Sequence, residues 1–155
     1  MSWSFAIKNG DLNPFGPGGY ATVTGTQKLL QDLRIWLLTP RGSDPLHLDY
    51  GSTLDGGTVD GTIVESNIGT IIDKTRLLAL ESEVRRVLFA YQQQQMDRLY
   101  RDQTELDGKN TFAPGEILYS VENVQLSQIG DVVVIAVSIR ASDGNLLNIS
   151  TPIGA

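Results

Sequence analysis

The sequence predicts an α+β domain of 155 residues led by an extended arm, and three observations carry that prediction. Two stretches have helical periodicity, one beginning near Thr24 and a long one from Ser66 to about Glu105. After Pro114-Gly115 the pattern changes to period two, with β-branched residues at alternate positions. Between the helical stretches, Leu37 to Ser52 holds two prolines and two glycines around the alternation Leu46, Leu48 and Tyr50. The division that follows is an N-terminal arm over 1–24 and a single domain over 25–155.

The arm opens with a short apolar piece, Trp3 to Ile7, and then breaks at Gly16, Pro17, Gly18 and Gly19. A phosphate-binding loop would need a Gly-Lys-Ser/Thr ending on a helix, which is missing here. Trp3, Phe5, Phe15 and Tyr20 are placed to anchor an extended segment on the domain or on a neighbour, because large rings offset ordering entropy. A terminal strand packed on the chain's own sheet is the other reading.

Thr24 or Thr26 can cap the first helix. Leu29, Leu30, Leu33, Trp36 and Leu37 share one face of it, while Gln27, Lys28, Gln31, Asp32 and Arg34 lie elsewhere on the wheel. Pro40 ends the helix and pushes Thr39 into extended backbone. Gly42 and Gly51 allow a sharp turn at each end of the segment that follows. Residues 52–65, with Asp55-Gly56-Gly57 and Asp60-Gly61, read as a polar surface loop. They lack the ligand order and closing Glu of a calcium-binding loop.

In the long helix, expected to start at Ser66, two apolar stripes are offset. Ile68, Ile71, Ile72, Leu78 and Ala79 form one, and Leu77, Leu80, Val84, Val87, Leu88 and Tyr91 the other. The offset predicts an interruption near Glu81-Ser82-Glu83. Beyond Gln92 only Met96, Leu99 and Tyr100 are apolar, a thin stripe that another chain could use. The sheet should be a three-stranded antiparallel meander: Ile117 to Leu126 with a bulge near Glu122-Asn123, then Val132 to Ile139, then Leu146 to Ser150. Gly130-Asp131 and Asp143-Gly144-Asn145 supply hairpin chemistry. An edge strand of such a meander presents unpaired donors and acceptors to any extended segment nearby.

Composition excludes several functions. A net charge of −6 opposes sequence-independent nucleic-acid binding, which needs a cationic face. Without cysteine there are no disulfides, thiolate metal sites or cysteine nucleophiles, and one histidine leaves little for a transition metal. No apolar run approaches the ~18–20 residues that span a bilayer, and the first residues lack the regions of an export signal. Neither cofactor nor metal is expected, and neither nucleic acid nor membrane as partner.

Catalytic constellations are not evident. His47 lies between two leucines with no serine motif, so Ser-His chemistry finds no support. Glycosidase chemistry needs two carboxylates about 5–9.5 Å apart. Glu81 and Glu83 would point to different sides of a helix. Arg76, Arg85, Arg86, Arg98 and Arg101 should mostly pair with Glu81, Glu83, Asp97 and Asp102.

Leu38-Thr39-Pro40-Arg41-Gly42 followed by Asp49-Tyr50-Gly51-Ser52-Thr53-Leu54 resembles the baseplate wedge and sheath-initiator family of contractile phage tails, whose relatives serve in the type VI secretion baseplate. Thr39, Pro40, Gly42, Tyr50 and Gly51 stand at the family's turn motif. The resemblance covers roughly residues 25–150 in the order and type of elements. Two departures stand out. Ser43 and then Asp44 follow the turn glycine, where the family commonly has an acid. The family's Glu-Pro-Arg appears as Glu83-Val84-Arg85, with Arg86 a rival for the arginine and Arg86–Glu105 resembling an insertion.

The resemblance implies a fold similar to the C-terminal part of the sheath subunit, in a virion protein without catalytic activity. It implies assembly in the host cytoplasm into the tail baseplate, in several copies of sixfold symmetry. Glu83, Arg85 and Arg86 would contact the helical core-bundle proteins of the wedge. Val133, Ile135, Leu147 and Ile149, on the last two strands, would present the edge to arms of the tail sheath protein. Tube or hub proteins are further candidate neighbours. Two rivals remain: a peptidoglycan-degrading, lysozyme-like enzyme of the tail, and a helical adaptor dimerising through Met96, Leu99 and Tyr100.

Overall fold

The computed structural model describes residues 2–8, 11–14, 16, 19–66, 73–105, 111–130 and 132–153. Four short strands lead: β1 (Ser4–Phe5), β2 (Ile7–Lys8), β3 (Asp11–Leu12) and β4 (Thr22–Val23). Helix α1 (Gly25–Leu38) and strand β5 (Pro40–Arg41) follow, then β6 (Ser52–Val59) and β7 (Thr62–Val64). Helix α2 (Lys74–Glu105) precedes the strands β8 (Leu118–Ile129), β9 (Val132–Ala141) and β10 (Leu146–Ile153). The class is α+β, as the periodicities predict.

The last three strands form an antiparallel sheet in the order β10-β9-β8. Val133, Ile135, Val137 and Ile139 of β9 all face inward, as period two requires. Leu29, Leu33 and Leu37 of α1 and Val84, Val87 and Leu88 of α2 join them in one core. Each such side chain, fully removed from water, contributes about 1.5–3 kcal/mol. The two helices and the inner face of the sheet are therefore held together by one apolar cluster.

Two expectations about α2 are corrected. It is one helix of 32 residues with no interruption at Glu81-Ser82-Glu83. Only the stripe of Leu80, Val84, Val87, Leu88 and Tyr91 is buried, whereas Leu78 is 66% exposed, so no change of partner is needed. The described start is Lys74, and the Arg76 N–H donates to Asp73 Oδ1 at 2.7 Å in N-cap fashion. Ser66 instead donates its hydroxyl to Asp55 Oδ1 at 2.8 Å. Ile68, Ile71 and Ile72 lie outside the described residues, as do Phe15 and Asp131.

The expected loop over 52–65 is a β-hairpin. Strands β6 and β7 pair antiparallel with Val59 opposite Thr62. Asp60 and Gly61 close it with φ of 50° and 78°, the two positive values of a tight I′-type turn. Strand β5 adds to β6 in parallel, so the turn segment is sewn to the hairpin. In the arm, β1 pairs with β4 and β2 with β3; neither joins the three-stranded sheet. The arm is tied to α1 through Gln31, whose amide donates to the Phe5 carbonyl and accepts from the Ile7 N–H, each at 2.8 Å.

Candidate functional site

The turn motif is held by an ion pair on α2. Gly51 has φ 91°, and a Cβ there would collide with the Thr39 carbonyl oxygen, so the close crossing requires glycine. Next to it the buried Ser52 donates its hydroxyl to the Leu37 carbonyl at 2.6 Å, and its N–H to the Thr39 carbonyl at 2.8 Å. The end of α1 is thereby fixed to the start of β6. The Thr53 N–H donates to Glu83 Oε1 at 2.8 Å. Arg86 meets both Glu83 oxygens, Nε to Oε2 at 2.7 Å and Nη2 to Oε1 at 2.8 Å, and also reaches the Gly51 carbonyl at 3.0 Å. Burial pulls the Glu83 carboxyl up, but the Arg86 guanidinium and the Thr53 N–H outweigh it and hold it below the ordinary glutamate value.

Of the three residues expected to meet the wedge bundle, Glu83 and Arg86 are thus spent within the chain. The arginine paired to Glu83 is Arg86, at i+3, not Arg85. Arg85 bonds Glu81 at 2.8 Å on the exposed side of α2 and keeps half its side chain in solvent. Pro40 opens β5, whose parallel pairing with β6 shifts register between Pro40 and Arg41. Tyr50 packs edge-on against Trp36 with centroids 4.7 Å apart. His47 lies exposed 2.9 Å from Asp44.

The sheet edge needs correction too. Strand β9 is central and paired on both flanks, so it has no free edge to offer. Val133, Ile135 and Ile149 are 3%, 0% and 1% exposed and point into the core, and Leu147 packs partly against it. None of these side chains is a contact surface. The backbone of β10 is a different matter. Its hairpin closes with the Ala141 N–H on the Asn145 carbonyl at 3.0 Å. Alternation from that pair directs Leu147, Ile149, Thr151 and Ile153 inward to β9. Leu146, Asn148, Ser150 and Pro152 then turn their main-chain groups outward, and among the described residues no strand pairs with that flank. Pro152, without an N–H, fits an outward position.

A third feature was not foreseen. Lys28 Nζ lies 2.6 Å from Asp32 Oδ2 and 2.8 Å from Glu116 Oε1, the latter an ion pair off the hydrogen-bond direction. Glu116 is fully buried, and its other oxygen accepts from the Ala113 N–H at 2.8 Å. Gln95 donates to the Glu116 carbonyl and accepts from the Leu118 N–H, bracing the start of β8 against α2. Burial pushes the Lys28 ammonium down, but the two carboxylates outweigh it and leave it raised. Burial, reinforced by Asp32 and Glu116, drives the Tyr91 phenol far up, so Tyr91 stays neutral beside Asp32. A cleft of about 440 Å³ opens above this network, between α1 and the C-terminal half of α2. Among the described residues no group of His, Asp or Glu stands together in a way that could hold a metal ion.

No family model matches this sequence, and no curated protein does. The fold is similar to that of a Geobacter sulfurreducens protein whose crystal structure carries a provisional tail-lysozyme name. The TM-score is 0.53 at 17% identity, over 83% of this chain and 88% of that one. The fold is thus one found in a protein named for a tail. The finding also corrects the expectation of a chain without catalytic activity. The fold is present in a protein named as an enzyme, so fold alone cannot set catalysis aside.

Proposed function

We propose that this chain is a structural component of a contractile tail baseplate, joining the wedge core bundle to the first sheath ring and initiating the sheath by strand addition. The observation that carries the reading is the outward main chain of Leu146, Asn148 and Ser150 on β10, a flank that no strand pairs with among the described residues. An extended sheath arm laid along it would gain hydrogen bonds at about 0.5–1.5 kcal/mol net each. The resemblance at the turn motif and the tail name of the similar structure support the same reading. The proposed partners are the tail sheath protein and the wedge bundle, with tube or hub proteins beside them, in a sixfold ring of the virion. Arg85, exposed on α2, is the residue proposed to meet the bundle.

The Ser150→Pro variant tests this. It deletes an outward donor and leaves the inward bonds of Ile149 and Thr151 untouched. Tails assembled with it should carry baseplates containing the chain but no attached sheath, by electron microscopy. Sheaths of normal length and frequency would overturn the strand-addition reading.

A second reading is peptidoglycan hydrolysis, favoured by the lysozyme name of the similar structure. Asp32, which lines the 440 Å³ cleft, is the carboxylate it would use. Clearing of a cell-wall suspension by the purified chain, abolished by Asp32→Asn, would establish it; no clearing would remove it.

A further inference from the structure

The cleft between α1 and α2 is not used by the strand-addition reading, and its charges are unevenly satisfied. At its floor the Lys28 group is closed on itself, with Nζ held between Asp32 and Glu116. The rim differs. Arg98 lies over the Phe112 ring, 5.4 Å from its centroid, and forms no ion pair among the described residues. The guanidinium of Arg101, on the same helical face and lining the same cleft, makes no hydrogen bond or ion pair among them. Nor does the amide of Gln94, one turn earlier. Asp102, next to Arg101 in sequence and lining the same cleft, gives its Oδ2 to the Thr111 N–H at 3.1 Å and hydroxyl at 2.6 Å, and those bonds first, then the charges of Arg98 and Arg101, hold its carboxyl below the ordinary value. Among the described residues neither guanidinium is closed in an ion pair, in a chain of net charge −6.

We propose that this cleft binds an acidic peptide segment of a partner chain, with Arg98 and Arg101 meeting its carboxylates and the Gln94 amide its backbone. Guanidinium forks suit carboxylates, which they bind with paired charge-assisted hydrogen bonds. A volume of about 440 Å³ admits a few residues, not a folded domain. Stacking of a sugar is disfavoured because Trp36 and Tyr91 are only 9% and 5% exposed. Their rings are packed edge-to-face on each other and offer no open platform. The proposal rests on the reading of the chain as an assembly component, since an acidic segment is what a neighbouring protein would insert.

The test is an NMR titration of the full isotope-labelled chain with triglutamate, and with triglutamine as the neutral control. Saturable shifts at Gln94, Arg98, Arg101 and the Trp36 indole are expected with triglutamate only. Affinity should fall about tenfold in Arg101→Gln, near the 1.4 kcal/mol of one decade. An unchanged melting temperature in that variant would show that the loss is not unfolding. No saturable shift, equal shifts with triglutamine, or tighter binding of N-acetylmuramic acid at the same residues would each overturn the proposal. The measurement needs no assembled tail, so the assembly reading can fail in tail reconstitution while this binding stands, and the reverse.

Discussion

Replacing Glu83 by alanine should destabilise the isolated domain, and the structure sets the size of the effect. The carboxylate accepts the Thr53 N–H at 2.8 Å and two Arg86 donors at 2.7 and 2.8 Å. Hydrogen bonds to charged groups contribute about 1.5–3 kcal/mol each, but not additively. The Glu83 side chain is 14% exposed and that of Arg86 32%, so solvent screens part of the pair. Removal also strands the Thr53 N–H and leaves Arg86 with only the Gly51 carbonyl. A net loss of about 2–3 kcal/mol follows, which lowers Tm by about 4–10 °C in a domain this size. Arg85→Ala is the internal control, since its exposed pair with Glu81 is an i,i+4 contact that contributes about 0.5 kcal/mol or less. Urea denaturation followed by circular dichroism measures both. The double variant Glu83→Ala with Arg86→Ala should cost less than the two single losses together, because each single change orphans the other charge. Equal losses for Glu83→Ala and Arg85→Ala, or no coupling in the double variant, would refute the clamp.

Acidification should reveal the same pair. The folded carboxyl of Glu83 lies below its unfolded value of 4.5, so its stabilisation is complete above that pH and is lost as pH falls through the folded value. The stability gap between the wild type and Glu83→Gln should narrow over that window, read by urea midpoints at stepped pH. Lys28→Met leaves Asp32 and Glu116 without their shared cation and should cost about 3–5 kcal/mol, seen as a fall in the midpoint. Glu116→Gln keeps the shape and should cost less. Gly51→Ala meets both a positive φ and the Thr39 carbonyl, and should cost more than about 2 kcal/mol by thermal melting.

What the sequence disclosed follows from how local each signal is. The face of α1 and the inward residues of β9 repeat within a few positions, and periodicity finds them. The hairpin of β6 and β7 was hidden by its glycines. Asp60-Gly61 is a hairpin turn signal, but Gly56 and Gly57 next to it mimic a loop. The clamp joins Glu83 to Thr53, thirty residues away, and no pattern along the chain predicts such a bond. The choice of Arg86 over Arg85 depends on which side of α2 faces the turn segment. Lys28 falls off the apolar stripe of α1 and reads as a surface residue. Its burial depends on Glu116, which arrives from a turn region where acids are ordinarily solvated. Central placement of β9 follows from hairpin order, and it was the expectation of an edge there that ignored it.

Among the described residues both outer strands of the sheet have an open side, and their geometry favours β10 as the one to receive another chain. Strand β8 shifts register twice, between Leu118 and Ser120 and between Val121 and Asn123. Bulges of this kind twist an edge away from pairing. Its first carbonyls are also occupied, since Gln92 donates to Leu118 at 3.2 Å and to Tyr119 at 2.8 Å. Strand β10 runs from Leu146 to Ile153 with no register shift against β9. Its Pro152 marks where an incoming strand loses a partner and so sets the length of any added pairing. An edge that is straight, unblocked and closed off at one end specifies register as well as affinity. Under the strand-addition proposal, that combination would lay down the first ring of subunits in a single alignment, and one proline at Ser150 should be sufficient to stop it.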